Sequence, residues 1–338
     1  MNIIFNPETK EIPRFCDKKK IVFIKTHKTG GSTIFNILTR LAKRKNMNVA
    51  CFQHFIWPAR FKSYNLLNYS SQPIHLLSSH VRYSKRDMQE YFPREETFYF
   101  TILRDSFPQW LSSFAYYKFY EKMGLHTPKE IEKFIKRLGK RFPDHSIGNK
   151  DHNYYLLKNP NLFDLGLDHF YHDKARVVAQ YVEDLRNDFD LVMFMEDFNS
   201  SLLILKEMLC LTDDDILYLK MNELPENEKN RFNIKILADL RDSIYNLNKA
   251  DMFLYDYFSK IFKTYAQIMS SKLAMYQKRL DDIYEVCIGQ RLMKIAYGNR
   301  YYSGYLLKQR INRKSIKLCQ KLVMNEVEIT EKLCGYVL

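Results

Sequence analysis

The chain has 338 residues, with 53 Lys and Arg against 39 Asp and Glu and a formal charge of +14. Its 46% hydrophobic content and sparing use of Gly and Pro (10 each) exclude a disordered chain, and no internal period marks a repeat array. No run approaches the ~18 apolar residues of a membrane span, and the start, MNIIFNPETKEIPRF, is too polar for a signal peptide. The sequence therefore predicts either a soluble cytoplasmic protein or one whose anchor lies outside this chain.

Ile21–Ile24 is a short apolar run before a Gly pair and reads as a buried strand; Ile34, Ile37, Leu38 and Leu41 then recur at helical spacing. Ile74–Ser78 reads as a second strand and Phe98–Leu103 as a third, with a helix expected from Pro108 to Tyr120. Residues 121–150 predict surface loops around one short helix, and His169–Asn187 a helix. Leu191–Met195 reads as a fourth strand and Ser201–Leu209 as a helix; from Ile234 onward the pattern predicts helices and no strand. Strands alternating with helices imply an α/β fold with a central, mainly parallel sheet flanked by helices. In such sheets ligands bind at the carboxyl ends of the strands. Three predicted strand ends carry Lys25–Thr33, His80 and Arg104.

The first of these, Lys25-Thr26-His27-Lys28-Thr29-Gly30-Gly31-Ser32-Thr33, joins a strand to a helix. Glycines let amide groups approach an anion, and a helix N-terminus adds partial positive charge. Lys28 adds a full charge, and Ser32 and Thr33 add hydroxyls. A Walker A loop places Lys after its second Gly, whereas Lys28 precedes both, so the loop suits a phosphate or phosphosulfate outside the P-loop kinases. Arg104, at the third strand end, and Ser112, one or two turns into the next helix, are placed to converge on a second phosphate. His80 at the second strand end is the first candidate for a general base, because an ordinary imidazole titrates near neutral pH. His27, inside the loop, is the second.

K-T-H-K-T-G-G-S-T resembles the 5′-phosphosulfate loop of the galactose-3-O-sulfotransferases, the galactosylceramide sulfotransferase family. L-R-D-S-F-P-Q-W-L-S-S-F is similar to the 3′-phosphate motif of sulfotransferases that use 3′-phosphoadenosine-5′-phosphosulfate (PAPS), with Ser106 where the family has Pro. Ser78-Ser79-His80-Val81-Arg82-Tyr83, Phe163-Asp164-Leu165-Gly166 and Asp215–Asn222 also follow the family's order. The resemblance covers roughly 20–268, leaving a lead segment 1–19 and a basic helical extension 269–338. It implies a P-loop-NTPase-like sulfotransferase fold, PAPS as donor and a galactose-terminated glycolipid or glycan as acceptor. It implies donor binding by Lys25, Lys28, Thr29, Gly30, Gly31, Ser32, Thr33, Arg104 and Ser112, catalysis by His80, Lys28 and His27, no metal, and a Golgi location.

Residues 289–338 hold ten Lys and Arg against three Asp and Glu. This tail fits a solvated helix face, contact with an acidic membrane surface, or the alternative in which the chain is an inactive module that binds polyanions. No nucleic-acid-binding signature appears. Asp213-Asp214-Asp215 suits a helix N-terminus better than a metal site. The six cysteines show no zinc spacing, and their pairing as disulfides cannot be read from the sequence. Two glycosylation sequons begin at Asn68 and Asn199.

Overall fold

The structure, a computed structural model, describes residues 11–52, 57–67, 73–140, 152–221, 223, 240–297 and 300–335. The Asn68 sequon, Asn222, the stretch 141–151 and the start of the expected C-terminal helices at 234–239 lie outside the described residues. Four strands pair in parallel, in the order β2-β1-β3-β4: β1 Lys20–Ile24, β2 Leu76–Leu77, β3 Thr97–Leu103 and β4 Leu191–Phe194; all but the two-leucine β2 contain β-branched and aromatic side chains. All of β3 and β4 is buried, as expected of a parallel sheet covered on both faces. Ile24 pairs with Thr101, and Leu103 with Phe194, so the carboxyl ends of β1, β3 and β4 lie side by side.

The helices are α1 Gly31–Lys45, α2 Lys85–Gln89, α3 Ser106–Tyr116, α4 Phe119–Met123, α5 Pro128–Lys140, α6 Pro160–Asp164, α7 Ala175–Asp188, α8 Phe198–Met208, α9 Arg241–Leu247, α10 Lys249–Cys287, α11 Ile316–Val323 and α12 Glu326–Cys334. α1 starts at Gly30 and stops at Asn46, both left-handed; Lys43, Arg44 and Lys45 in its last turn oppose the negative end of the helix dipole. α10 packs along α8 and β4 and runs continuously past residue 268.

The expected helix from Pro108 to Tyr120 is two helices, α3 and α4, separated at Lys118, which takes a left-handed conformation. The predicted helix over His169–Asn187 opens as a 3-10 turn at His169–Tyr171 and becomes α-helical only at Ala175. Residues 121–150 were expected to be surface loops around a short helix. Instead α5 is thirteen residues long, and Ile131, Phe134, Ile135 and Leu138 line one buried stripe against α9 and the aromatics of α3. Burying such side chains stabilises by about 1.5–3 kcal/mol each. The interspersed Lys and Glu hide this i, i+3, i+4 stripe in the composition.

The expectation of no strand after Ile234 is overturned by an antiparallel hairpin, β5 Ile288–Tyr297 and β6 Arg300–Leu307. Its second strand, RYYSGYLL, has the aromatic content that favours pleated structure. The helix expected at Asp213–Asp215 is only a turn. Asp215 accepts from Thr212 and pairs with Arg44, Asp213 pairs with Lys206 and Arg279, and Asp214 pairs with Arg279.

All six cysteines pair: Cys16–Cys210, Cys51–Cys334 and Cys287–Cys319. These bonds fasten the lead segment to the end of α8, α12 to the segment preceding β2, and the hairpin base to α11. Among the described residues no helix is long and apolar enough to cross a membrane.

Candidate active site

The β1–α1 turn is held by its own side chains. Thr26 Oγ1 donates to Ile102 O of β3 and lies 2.9 Å from Thr29 Oγ1, which itself reaches Thr26 O at 3.0 Å. The Thr29 hydroxyl thus faces the sheet, and this residue has only its backbone to offer a ligand. Lys28 adopts a left-handed φ of 62°, and Gly30 one of 84°. A Cβ on Gly30 would lie 2.7 Å from Met195 Sδ, and one on Gly31 2.7 Å from Lys25 Cγ. Gly31 therefore makes room for the buried Lys25 stem passing beneath it. A helix start leaves amide groups without helical acceptors; here Thr33 N donates to Gly30 O at 3.0 Å, and Gly30–Thr33 line a cavity.

That cavity has a volume of about 1720 Å³, and its walls include Lys25, His27, Lys28, Gly30, Gly31, Ser32, Thr33, His80, Arg104 and Ser112. Apart from the inward-turned Thr29, the predicted residues are brought together in one site. Arg104 Nη1 donates to Lys28 O at 3.0 Å, which braces the loop from β3. Lys28 Nζ sits 3.5 Å from the centroid of the Tyr116 ring on α3. Burial, with Arg104 and Lys25 nearby, lowers the Lys28 ammonium to about 7. Burial also lowers Arg104. Asp105 caps α3 by accepting from Phe107 N at 2.9 Å, so its carboxylate is committed to the helix.

The two histidines stack, with centroids 4.1 Å apart. His80 Nδ1 is 3.2 Å from Lys25 O, which places the proton on Nδ1 and leaves the Nε2 lone pair free of it. Burial first, then Lys25, His27 and Lys28, push His80 well below the usual histidine range, so it is neutral at pH 7. His27 has a different partner: its N and Nδ1 each lie 2.8 Å from Asp164 Oδ2, and the other carboxylate oxygen accepts from Trp57 Nε1 at 2.9 Å.

A sequence profile of the galactose-3-O-sulfotransferase family matches residues 6–336. The chain belongs to this family. It is 30% identical to human galactose-3-O-sulfotransferase 3 over 87% of its own length and 67% of the relative's. It is 26% identical to galactose-3-O-sulfotransferase 2 of Sus scrofa over 93% and 83%, and 25% identical to human galactosylceramide sulfotransferase over 92% and 77%. The chain is therefore a sulfotransferase.

Several residues that shape the sulfotransferase site escaped the sequence reading. Asp164 stood inside a quoted motif, Phe163-Asp164-Leu165-Gly166, where an acid in an apolar run is the signal of a buried partner. Gly166, at φ 103°, allows that segment to pass Tyr83 O, which a Cβ would meet at 2.4 Å. Arg82 grips the same segment through Phe163 O and Asp168. Gln109 of α3 donates to His27 O at 2.7 Å and pairs with Asn161, whose own N–H donates to Asp251 of α10. A polar chain thus links α10 to the backbone of His27. Asn199 of the second sequon is held between Gln277 and Tyr218 on the cavity wall. Among the described residues no group of His, Cys, Asp and Glu converges as metal ligands would.

Proposed function

We propose that this sulfotransferase takes its sulfuryl group from PAPS and places it on the 3-hydroxyl of a terminal galactose on a glycolipid or glycoprotein. The observation that carries the donor is the meeting, in one cavity, of the Lys28–Thr33 loop with Arg104 from the adjacent strand end and Ser112 from the following helix α3. Three cations, Lys25, Lys28 and Arg104, share this pocket, and the lowered Lys28 marks a site that gains from a bound anion. The acceptor rests on the names of the relatives, which act on galactose and galactosylceramide.

In this reading the amides of Thr29–Thr33 and Lys28 hold the 5′-phosphosulfate, and Arg104 and Ser112 hold the 3′-phosphate. PAPS supplies an activated sulfuryl group when bound. Lys28 brings positive charge to the leaving phosphate, an effect typically worth about 3–4 kcal/mol of barrier. An anion beside Lys28 raises its pKa again and keeps it charged. His80 Nε2 takes the acceptor hydroxyl proton, and His27, oriented by Asp164, is the alternative base. Three disulfides support an oxidising compartment, as in the Golgi lumen that the family resemblance implies. The polyanion-binding alternative finds no support: α11 and α12 of the basic tail pack on α1 of the enzyme core.

The test is transfer from radiolabelled PAPS to a panel of galactosides, lactosides and glycosaminoglycans. Label on terminal galactose, lost in Lys28→Ala at unchanged unfolding temperature, is expected. Label on glycosaminoglycans alone, or equal label from the variant, would overturn the assignment.

A further inference from the structure

The C-terminal helix α12 has no part in the sequence reading of the site, yet its first residue reaches the donor loop. Glu326 Oε1 pairs with Lys25 Nζ, and Glu326 Oε2 accepts from Ser32 Oγ at 2.9 Å. The Lys25 side chain is 2% exposed and that of Glu326 24%. Two loop groups assigned to the donor therefore hold an internal carboxylate.

This carboxylate is delivered to a fixed place. Asn325 and Glu328 form a capping box at the start of α12. Asn36 of α1 donates to Lys321 O and Met324 O just before it. Cys334, at the far end of α12, is bonded to Cys51.

We propose that Glu326 is a resident stand-in anion, which neutralises Lys25 and engages Ser32 in the donor-free enzyme and leaves them when the phosphosulfate arrives. The proposal rests on the donor reading above. A buried ammonium without a counter-charge is strongly destabilising, so Lys25 needs an anion in both states. An incoming phosphosulfate brings negative charge to the same two groups, and a carboxylate remaining beside it would repel it. Donor affinity is then set by an exchange of one anion for another, and the Glu326 side chain, on an anchored helix, is what yields. The C-terminal extension thereby tunes how tightly the enzyme holds its donor and how readily it releases the spent nucleotide.

The experiment is calorimetric titration of 3′-phosphoadenosine-5′-phosphate, and separately of inorganic pyrophosphate, into the full chain and its variants Glu326→Gln and Glu326→Asp. Glu326→Gln keeps the size and removes the charge. It should tighten both ligands by about tenfold, the scale of one charged hydrogen bond. Glu326→Asp keeps the charge but withdraws the carboxylate by one methylene from both Lys25 and Ser32. It should give a smaller gain, and it carries the test if the Gln variant does not fold. Nucleotide affinity that is unchanged or weakened in both variants overturns the proposal and leaves the donor reading standing. Pyrophosphate binding that tightens in Glu326→Gln, with no nucleotide binding by any form, supports the role of Glu326 and removes the donor reading. Binding of neither anion removes both.

Discussion

Replacing Asp164 with Asn tests the site where sequence reasoning was weakest. The carboxylate is 1% exposed and accepts three hydrogen bonds, two from His27 on Oδ2 and one from Trp57 on Oδ1. An Asn side chain has one oxygen. If that oxygen serves His27, its amide faces the Trp57 N–H, and a buried donor is left unsatisfied at about 1–3 kcal/mol. Loss of charge from the two remaining bonds adds roughly 1 kcal/mol each, since bonds to charged groups exceed neutral ones by about that amount. Asp164→Asn should therefore lower stability by about 3–5 kcal/mol. If His27 works in the reaction, turnover should fall on the order of a hundredfold or more, because a carboxylate that fixes a histidine tautomer is worth up to roughly 10⁴ in rate in the serine-protease triad. Asp164 does not line the cavity, so its effect belongs in kcat, with the KM for PAPS changed little. Urea unfolding and single-turnover transfer measure the two quantities. A variant with the wild-type urea midpoint and wild-type kcat would show that the Asp164–His27 contact does not orient a working histidine.

Three further outcomes follow from the same geometry. Arg104→Ala should weaken 3′-phosphoadenosine-5′-phosphate about 50-fold more than adenosine-5′-monophosphate, the scale of a charge-assisted pair; equal losses by calorimetry would mean that Arg104 acts only through its bond to Lys28 O. If His80 is the base, the rate must fall as acid protonates it, and its lowered pKa puts that limb below the ordinary ~6.5. His80→Ala should lose turnover and the limb but keep nucleotide affinity, and survival of both rate and limb would move the base to His27. His172 is buried and lowered to about 4, mainly by burial. The unfolded chain binds its proton first, so stability contributed by neutral His172 is intact above pH ~6.5 and lost between there and about 4, by roughly 3 kcal/mol. His172→Gln should flatten that part of the urea-midpoint profile, and a slope identical to wild type would contradict it.

The sheet was legible where strands are continuous apolar runs. Ile21–Ile24, Phe98–Leu103 and Leu191–Met195 fall on β1, β3 and β4 because a strand buried on both faces has no polar alternation to blur it. The second strand is only Leu76–Leu77, since beyond Leu77 the chain turns off to present His80. That Lys28, Gly30 and Arg104 face one cavity was legible because a strand-end loop is a local signal, and Ser112 follows in the next helix. Asp164 and Glu326 were not, because each meets its partner 137 and about 300 residues away in the chain. Nothing in the neighbouring sequence says that a carboxylate on a C-terminal helix will sit on a loop following the first strand. The hairpin β5–β6 was lost for another reason: it follows a 39-residue helix, and its charged first strand continues that helix's polar rhythm.

The pairing of Cys51 with Cys334 orders the making of this protein. Closing a loop with a sequence separation of 283 removes about 5–6 kcal/mol of unfolded-chain entropy in the polymer estimate. The bond cannot form until Cys334 has been synthesised, 283 residues after Cys51. Cys16 and Cys51 are made before Cys210 and Cys334, so a bond between these two would be non-native. Thiol–disulfide exchange is the reaction that would undo such a bond and let the native pairs close. A reducing host leaves the helix that carries Glu326 held only by non-covalent contacts.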